Sequence, residues 1–304
     1  MIIEIPSAQE FESVGLSLID DAWDMAISFA SEFEESKYFG ADQEEDGDKY
    51  WQIAKKRLTR SLATLQNGVE FLVKAKIAAI SPYLLISNSP KDYPKNSNKR
   101  DIFFADFRTI DAQDLLKVHD TFSGTRLPEE FAAEFERLRK QRNSIIHTVD
   151  KRMVARLEEV LVEVVSVFKM FYPDRDWKEE RRRQLSISPA ATLYSSDWVT
   201  SALISEFSLF YDLLSPKDLK NLYGINKTQR WYICPECHYE TRDMELYPKC
   251  AQLKPNSSKS NTVLCYICDK LHDVGRKHCE ETECKGNVIS PEMEMCLTCG
   301  GVQR

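Results

Sequence analysis

The chain has 304 residues, 42% hydrophobic and 29% charged, with a formal net charge of −7. Such a length supports about two domains with their own cores, and such a composition excludes a disordered chain. No apolar run reaches the roughly 18 uncharged residues of a membrane span, and the opening MIIEIPSAQEFE lacks the basic start and apolar stretch of a secretion signal. The expectation is a cytoplasmic protein without a membrane partner. The acidic balance argues against a surface coated in nucleic-acid-binding charge. Acidic and basic residues balance over 225–304, so the excess lies in 1–224, much of it in ADQEEDGD at 41–48, which reads as a solvated loop.

The first 224 residues predict helix almost throughout. Ser7 and Glu10 have the spacing of a capping box. A helical segment follows over 16–39, ending at Gly40. In the next helix Leu58, Leu62, Leu65, Val69 and Leu72 alternate steps of four and three, the repeat of one buried face. It stops at Ser81-Pro82, since proline disfavours helix in the residue before it. Gly68 inside it costs about 1 kcal/mol against alanine, so it marks either a close helix crossing or a tolerated weakness. Residues 88–100 are a polar, proline-punctuated loop, and Asp111 is placed to cap a short helix through Leu115 and Leu116. A helix from Pro128 to Val149 carries Phe131, Phe135, Leu138, Arg142, Ile145 and Val149 on one stripe. Leu157, Leu161, Val164, Phe168 and Phe171 form another stripe. DWKEERRRQLS, charged throughout, reads as a solvated surface helix. Residues 198–214 add an amphipathic helix, and Ser215-Pro216 a last short turn. Near Ile225 the texture changes to short apolar pieces between cysteines, which sets a boundary between a helical domain at 1–224 and a small domain at 225–304.

All nine cysteines lie in that last part. Crowded cysteines in a chain without a secretion signal point to metal rather than disulfides. CPEC, CYIC and CLTC supply Cys234, Cys237, Cys265, Cys268, Cys296 and Cys299, and CEETEC adds the looser pair Cys279 and Cys284. Two thiolates two residues apart bend around one tetrahedral zinc ion, and a second pair closes the site. Sequential pairing gives one site from Cys234, Cys237, Cys265 and Cys268 and another from Cys279, Cys284, Cys296 and Cys299, two structural ions in all. Interleaved pairing is an alternative, and His272 or His278 could replace Cys279 or Cys284. Cys250 is left over, as a free thiol or a substitute ligand. A redox CxxC is disfavoured by three such pairs without a βαβ context. CLTCGG resembles the second knuckle of a zinc ribbon, glycine giving the turn its backbone freedom. No catalytic metal is expected, because four thiolates leave no open position.

Arg142 interrupts an oily stripe, and an unpaired buried charge costs several kcal/mol, roughly. A structural carboxylate must hold it, or it lines a pocket that receives an anion. RNSIIH places Arg142, Asn143 and His147 within six residues, with Asn143 and His147 four apart on one helical face. This motif resembles the RNxxxH signature of the HEPN superfamily of helical domains. GVEFLVKAKIAAI, FRTIDAQDLLKVH and the helix over 153–172 are similar to its surroundings, so the resemblance covers about residues 16–172. It implies a HEPN-like helical bundle and a metal-independent endoribonuclease cutting single-stranded or looped RNA, tRNA included. It further implies a homodimer in which motif helices face one another, and a role as toxin or anti-phage defence effector. His147 suits general acid–base work near neutral pH. Arg142 suits the charge on a crowded phosphoryl centre, and Asn143 can orient either. The zinc tail would then be a sensor or regulatory module that meets a protein trigger or inhibitor.

The rival is a non-catalytic helical dimer whose zinc module binds protein or nucleic acid. A zinc hydrolase lacks an HExxH motif, and His119-Asp120 reads as a polar pair at a helix end. No glycine-rich phosphate loop supports a kinase.

Overall fold

The computed structural model describes residues 1–36, 40, 45–95, 97–147, 155–194, 197–242 and 247–303, and only the backbone at 45, 146, 147 and 197. The chain is mainly helical and divides into two compact units, Met1–Pro173 and Asp174–Arg304.

The first unit is built on a hairpin of two long helices, α1 (Ala8–Ser36) and α2 (Glu45–Ile80). The capping box forms as expected: Glu10 N–H donates to Ser7 Oγ at 3.2 Å and Ser7 N–H to Glu10 Oε2 at 2.8 Å. The hydrogen bond from the Ser7 backbone, then its hydroxyl, holds the Glu10 carboxyl below its usual range. One helix therefore starts at Ala8, ahead of the segment expected from residue 16. Gly15 and Gly68 explain the closeness of the hairpin. A Cβ on Gly68 would stand 2.8 Å from the Gly15 carbonyl oxygen and 2.8 Å from Ile19 Cγ1, so Gly68 marks a helix crossing. Overpacking costs about 1–3 kcal/mol, more than the roughly 1 kcal/mol of helix propensity that alanine returns. Gly68→Ala is expected to lower the first unit's Tm by about 2–4 °C in a thermal melt; a rise would mean the backbones can part at no cost.

Three helices pack on this hairpin: α3 (Ala112–Phe122) and α4 (Glu129–His147) against α2, and α5 (Leu157–Phe171) against both α1 and α2. The stripe residues Phe131, Phe135 and Leu138 are buried, and the Phe131 ring meets Phe171 edge-on at 4.9 Å. A short parallel pair, β1 (Ile2–Ile3) with β2 (Ile102–Phe103), ties the chain start to the loop before α3. Asp111 precedes α3 as expected, but its carboxylate takes Arg108 rather than capping the helix.

The second unit joins α6 (Trp177–Ser186), α7 (Asp197–Leu213) and α8 (Pro216–Tyr223) to the cysteine-rich segment, so the change of texture at Ile225 falls inside it. The charged α6 is not a solvated surface helix. Trp177, Lys178, Glu180, Arg181 and Gln184 are all buried. The physical reason is partnering: Arg181 makes two bonds to Glu206 at 2.7 and 2.9 Å, and Glu180 takes Arg175, Arg183 and Gln184. Buried charges are tolerated when paired and hydrogen-bonded. The cysteine-rich segment forms a four-stranded antiparallel sheet, β3 (Tyr232–Ile233), β4 (Lys249–Leu253), β5 (Thr262–Cys265) and β6 (Leu271–Asp273) in that order. The short helix α9 (Pro235–Glu240) and the hairpin β7 (Ile289–Ser290) with β8 (Met295–Cys296) complete it. Among the described residues, no helix is long and apolar enough to cross a membrane.

Candidate metal centres and a polar groove

Two groups of four thiols assemble, Cys234–Cys237–Cys265–Cys268 and Cys279–Cys284–Cys296–Cys299, with all ligand atoms in each group within 4.8 Å of one another. The pairing is therefore sequential, and all nine thiols are free of disulfides. In the first group, Cys234 follows β3 and caps α9, Cys237 lies in the first turn of α9, Cys265 ends β5 and Cys268 sits in the turn to β6. Backbone N–H groups point at the sulfurs: Ile267 and Cys268 donate to Cys265 Sγ at 3.3 and 3.4 Å. Sulfur–sulfur distances are 3.7 Å for Cys234–Cys268 and 3.7 Å for Cys237–Cys265. With zinc–sulfur bonds near 2.3 Å, a tetrahedral cage has edges of about 3.8 Å, so these thiols are spaced for such an ion. The contact with Cys234, ahead of those with the other thiols, pushes the Cys237 thiol up, and the same kind of contact holds Cys265 far down. Sulfurs this close share protons, and only a cation between them lets all four ionise.

The second group is wider and more open. Cys279–Cys299 is 3.7 Å and Cys284–Cys296 is 4.0 Å, with Cys296 buried and Cys299 exposed. Glu281, Gly286 and Gly301 N–H groups donate to Cys279, Cys284 and Cys299. Gly300 has φ +82, and a Cβ there would lie 2.5 Å from the Tyr247 ring, which accounts for the glycine after CLTC. His272 belongs with the first group, where its Nε2 touches Cys234 and Cys268. Cys250 is also there, buried, with its sulfur 3.5 Å from Cys265.

In the first unit, Arg142 answers both halves of the question its stripe poses. Its Nε donates to Gln66 Oε1 at 3.1 Å, one Nη to Asn143 Oδ1 at 3.1 Å and the other to Glu70 Oε2 at 3.4 Å. Glu70 also pairs with Lys74 at 2.9 Å. Gln66, Glu70 and Lys74 recur every four residues, a polar stripe along α2 that the leucine repeat concealed and that the same spacing argument could have found. Gln66 is fully buried, and its Nε2 has no partner among the described residues. Arg142 nonetheless keeps 23% of its side chain exposed. It lines a groove of about 420 Å³ with Asn143, Arg139, Arg108, Asp111 and Glu70. Arg108, Thr109, Ile110 and Asp111 also wall a neighbouring groove of about 460 Å³ that extends to Lys117 and Phe122. His147 ends α4, and its side chain lies outside the described residues. His119 Nδ1 meets Asp120 at 2.9 Å, and Asp120 accepts the Leu127 N–H, a closed polar pair as expected.

The molecule thus combines a helical unit with a polar groove and a second unit stapled by two thiol cages. No protein-family model matches the chain, and no curated protein or solved structure compared with it does so.

Proposed function

We propose that the helical unit is a HEPN-like, metal-independent endoribonuclease for single-stranded or looped RNA, with Arg142, Asn143 and His147 as its reacting groups. The observation that carries this reading is the partly exposed Arg142 guanidinium in the wall of an open groove, beside Asn143 and Arg139. RNA cleavage without metal needs a proton acceptor for the 2′-hydroxyl and a cation for the phosphoryl oxygens. Imidazole titrates near neutral pH and guanidinium stays charged, so His147 takes the proton and Arg142 steadies the oxygens. The acidic Glu70, Asp92, Asp111 and Asp114 line the grooves as well. Arg139 and Arg142 offer the phosphate side of the site, while the outer groove, with Phe122 56% exposed at its rim, suits an unpaired base. In a homodimer with facing motif helices, each cleft would hold two copies of the set. The two thiol cages hold structural zinc, and the unit they staple serves as a sensor or regulatory module in a toxin or defence effector.

Total RNA incubated with the purified protein in magnesium-free buffer should yield 2′,3′-cyclic phosphates and 5′-hydroxyl ends, labelled by polynucleotide kinase without prior phosphatase. Intact RNA, or 5′-phosphate products, would refute this chemistry. One observation favours a second reading, a non-catalytic helical dimer: every terminal nitrogen of Arg142 already has a protein partner.

A further inference from the structure

The first thiol cage has more ligands around it than one ion can use. His272 Nε2 stands 3.4 Å from Cys234 Sγ and 3.6 Å from Cys268 Sγ. A tetrahedral ion with zinc–sulfur bonds near 2.3 Å and a zinc–nitrogen bond near 2.0–2.1 Å has a nitrogen–sulfur edge of about 3.5 Å. The imidazole is therefore at ligand spacing from two thiols of the cage already. Of the four, Cys268 is partly exposed while Cys234, Cys237 and Cys265 are buried. Cys268 and His272 also belong to one turn and strand, and β6, which carries His272, is the edge strand of its sheet. Such a strand has one neighbour to detach from when it shifts.

We propose that His272 is a standby ligand of the first centre, taking the place of Cys268 when that thiolate is lost. In the exchange the bond from metal to Cys268 sulfur breaks and one from the Nε2 lone pair forms. The imidazole keeps its proton on Nδ1, the ion keeps its charge, and no electron moves. Cys250 is the weaker candidate. It touches Cys265, a buried thiol, and its own S–H points at the Pro248 carbonyl oxygen. The second centre has four thiols and, among the described residues, no histidine in its group. The two cages therefore differ in kind: the first survives the loss of a thiol, and the second, with Cys299 exposed, does not.

Metal content of the full chain, with cobalt(II) in place of zinc to count thiolates by their charge-transfer absorption, tests this. Cys268→Ser should retain two ions per chain with one centre shifted from four thiolates to three plus nitrogen. Cys268→Ser with His272→Ala should hold one. His272→Ala alone should keep two ions and an unaltered spectrum, and Cys299→Ser should keep one. The proposal fails if Cys268→Ser by itself loses an ion or its fold. It fails equally if the double variant keeps both ions, if in the Cys268→Ser background Cys250→Ala rather than His272→Ala releases the ion, or if His272→Ala alone changes the spectrum. The wild-type chain gives an independent measurement: limited alkylation, mapped to Cys268, should leave its zinc bound, whereas in His272→Ala the same modification should release one ion. Release from both proteins alike would overturn the assignment.

Discussion

Stripping zinc from the folded chain should unfold the whole of residues 174–304, helices α6 to α8 included, and leave residues 1–173 structured. A domain boundary near Ile225, as expected from sequence, would confine the effect to the cysteine-rich segment. The wider effect follows from how the helices are held. Lys178, buried on α6, donates to the Tyr266 carbonyl oxygen at 3.0 Å and pairs with Asp269. Tyr211, on α7, donates to that same oxygen at 2.9 Å. Burial raises the Tyr211 hydroxyl well above its usual range, so it stays a donor. Tyr266 and Asp269 bracket Cys268 in the knuckle that presents it to the cage. Without the ion the knuckle loses its geometry, and a buried lysine and tyrosine lose their acceptor together. A structural zinc site contributes on the order of 10 kcal/mol, against a domain's net stability of about 5–15 kcal/mol, so the unit cannot stay folded once both ions are gone. Metal analysis should find two zinc ions per chain. Hydrogen exchange before and after chelation should then show protection lost across α6 and α7 and kept across α1 and α2. Protection that persists in α6 after both ions have left would show that the helices fold without the cages.

Which features were legible beforehand depended on whether a local rule decided them. Helices α2, α4 and α5 followed from apolar spacing, because a stripe needs no knowledge of what covers it. The thiol sets followed from CxxC spacing, because two knuckles close one tetrahedron. The charged α6 was misread for the complementary reason. WKEERRRQLS has little apolar signal, and its burial rests on Glu206 and Asp269, residues far along the chain that spacing cannot reveal. Sequence offers His272 only as an alternative to Cys279 or Cys284; it lies instead at the first cage, because β5 pairs with β6 and brings Val263 opposite His272. The partners of Arg142 were missed too, although Gln66, Glu70 and Lys74 were spaced to be found. Sequence showed that a charge on an oily stripe demanded compensation; it did not say which helix supplied it.

His147→Ala should lower RNA cleavage about 10²–10⁴-fold while helix content and melting temperature stay near wild type. His147 is the cleaner test because Arg142 does two jobs. Its guanidinium ties α4 to α2 through Gln66 and Glu70, so removing it strands Glu70 and Lys74 in a largely buried pair and unsettles the fold as well as any chemistry. A loss of activity in Arg142→Ala would therefore be ambiguous. His147 is the last residue of α4. Glu70 supplies the complementary arm. A phosphate that engages Arg142 must compete with the Glu70 carboxylate, so Glu70→Gln should bind RNA more tightly while melting earlier. Under the scaffold reading neither substitution touches RNA chemistry, and only the melting temperature of Glu70→Gln would move. Cleavage unchanged in His147→Ala would remove the nuclease assignment, and the unit with the two thiol cages would then be where function has to be sought.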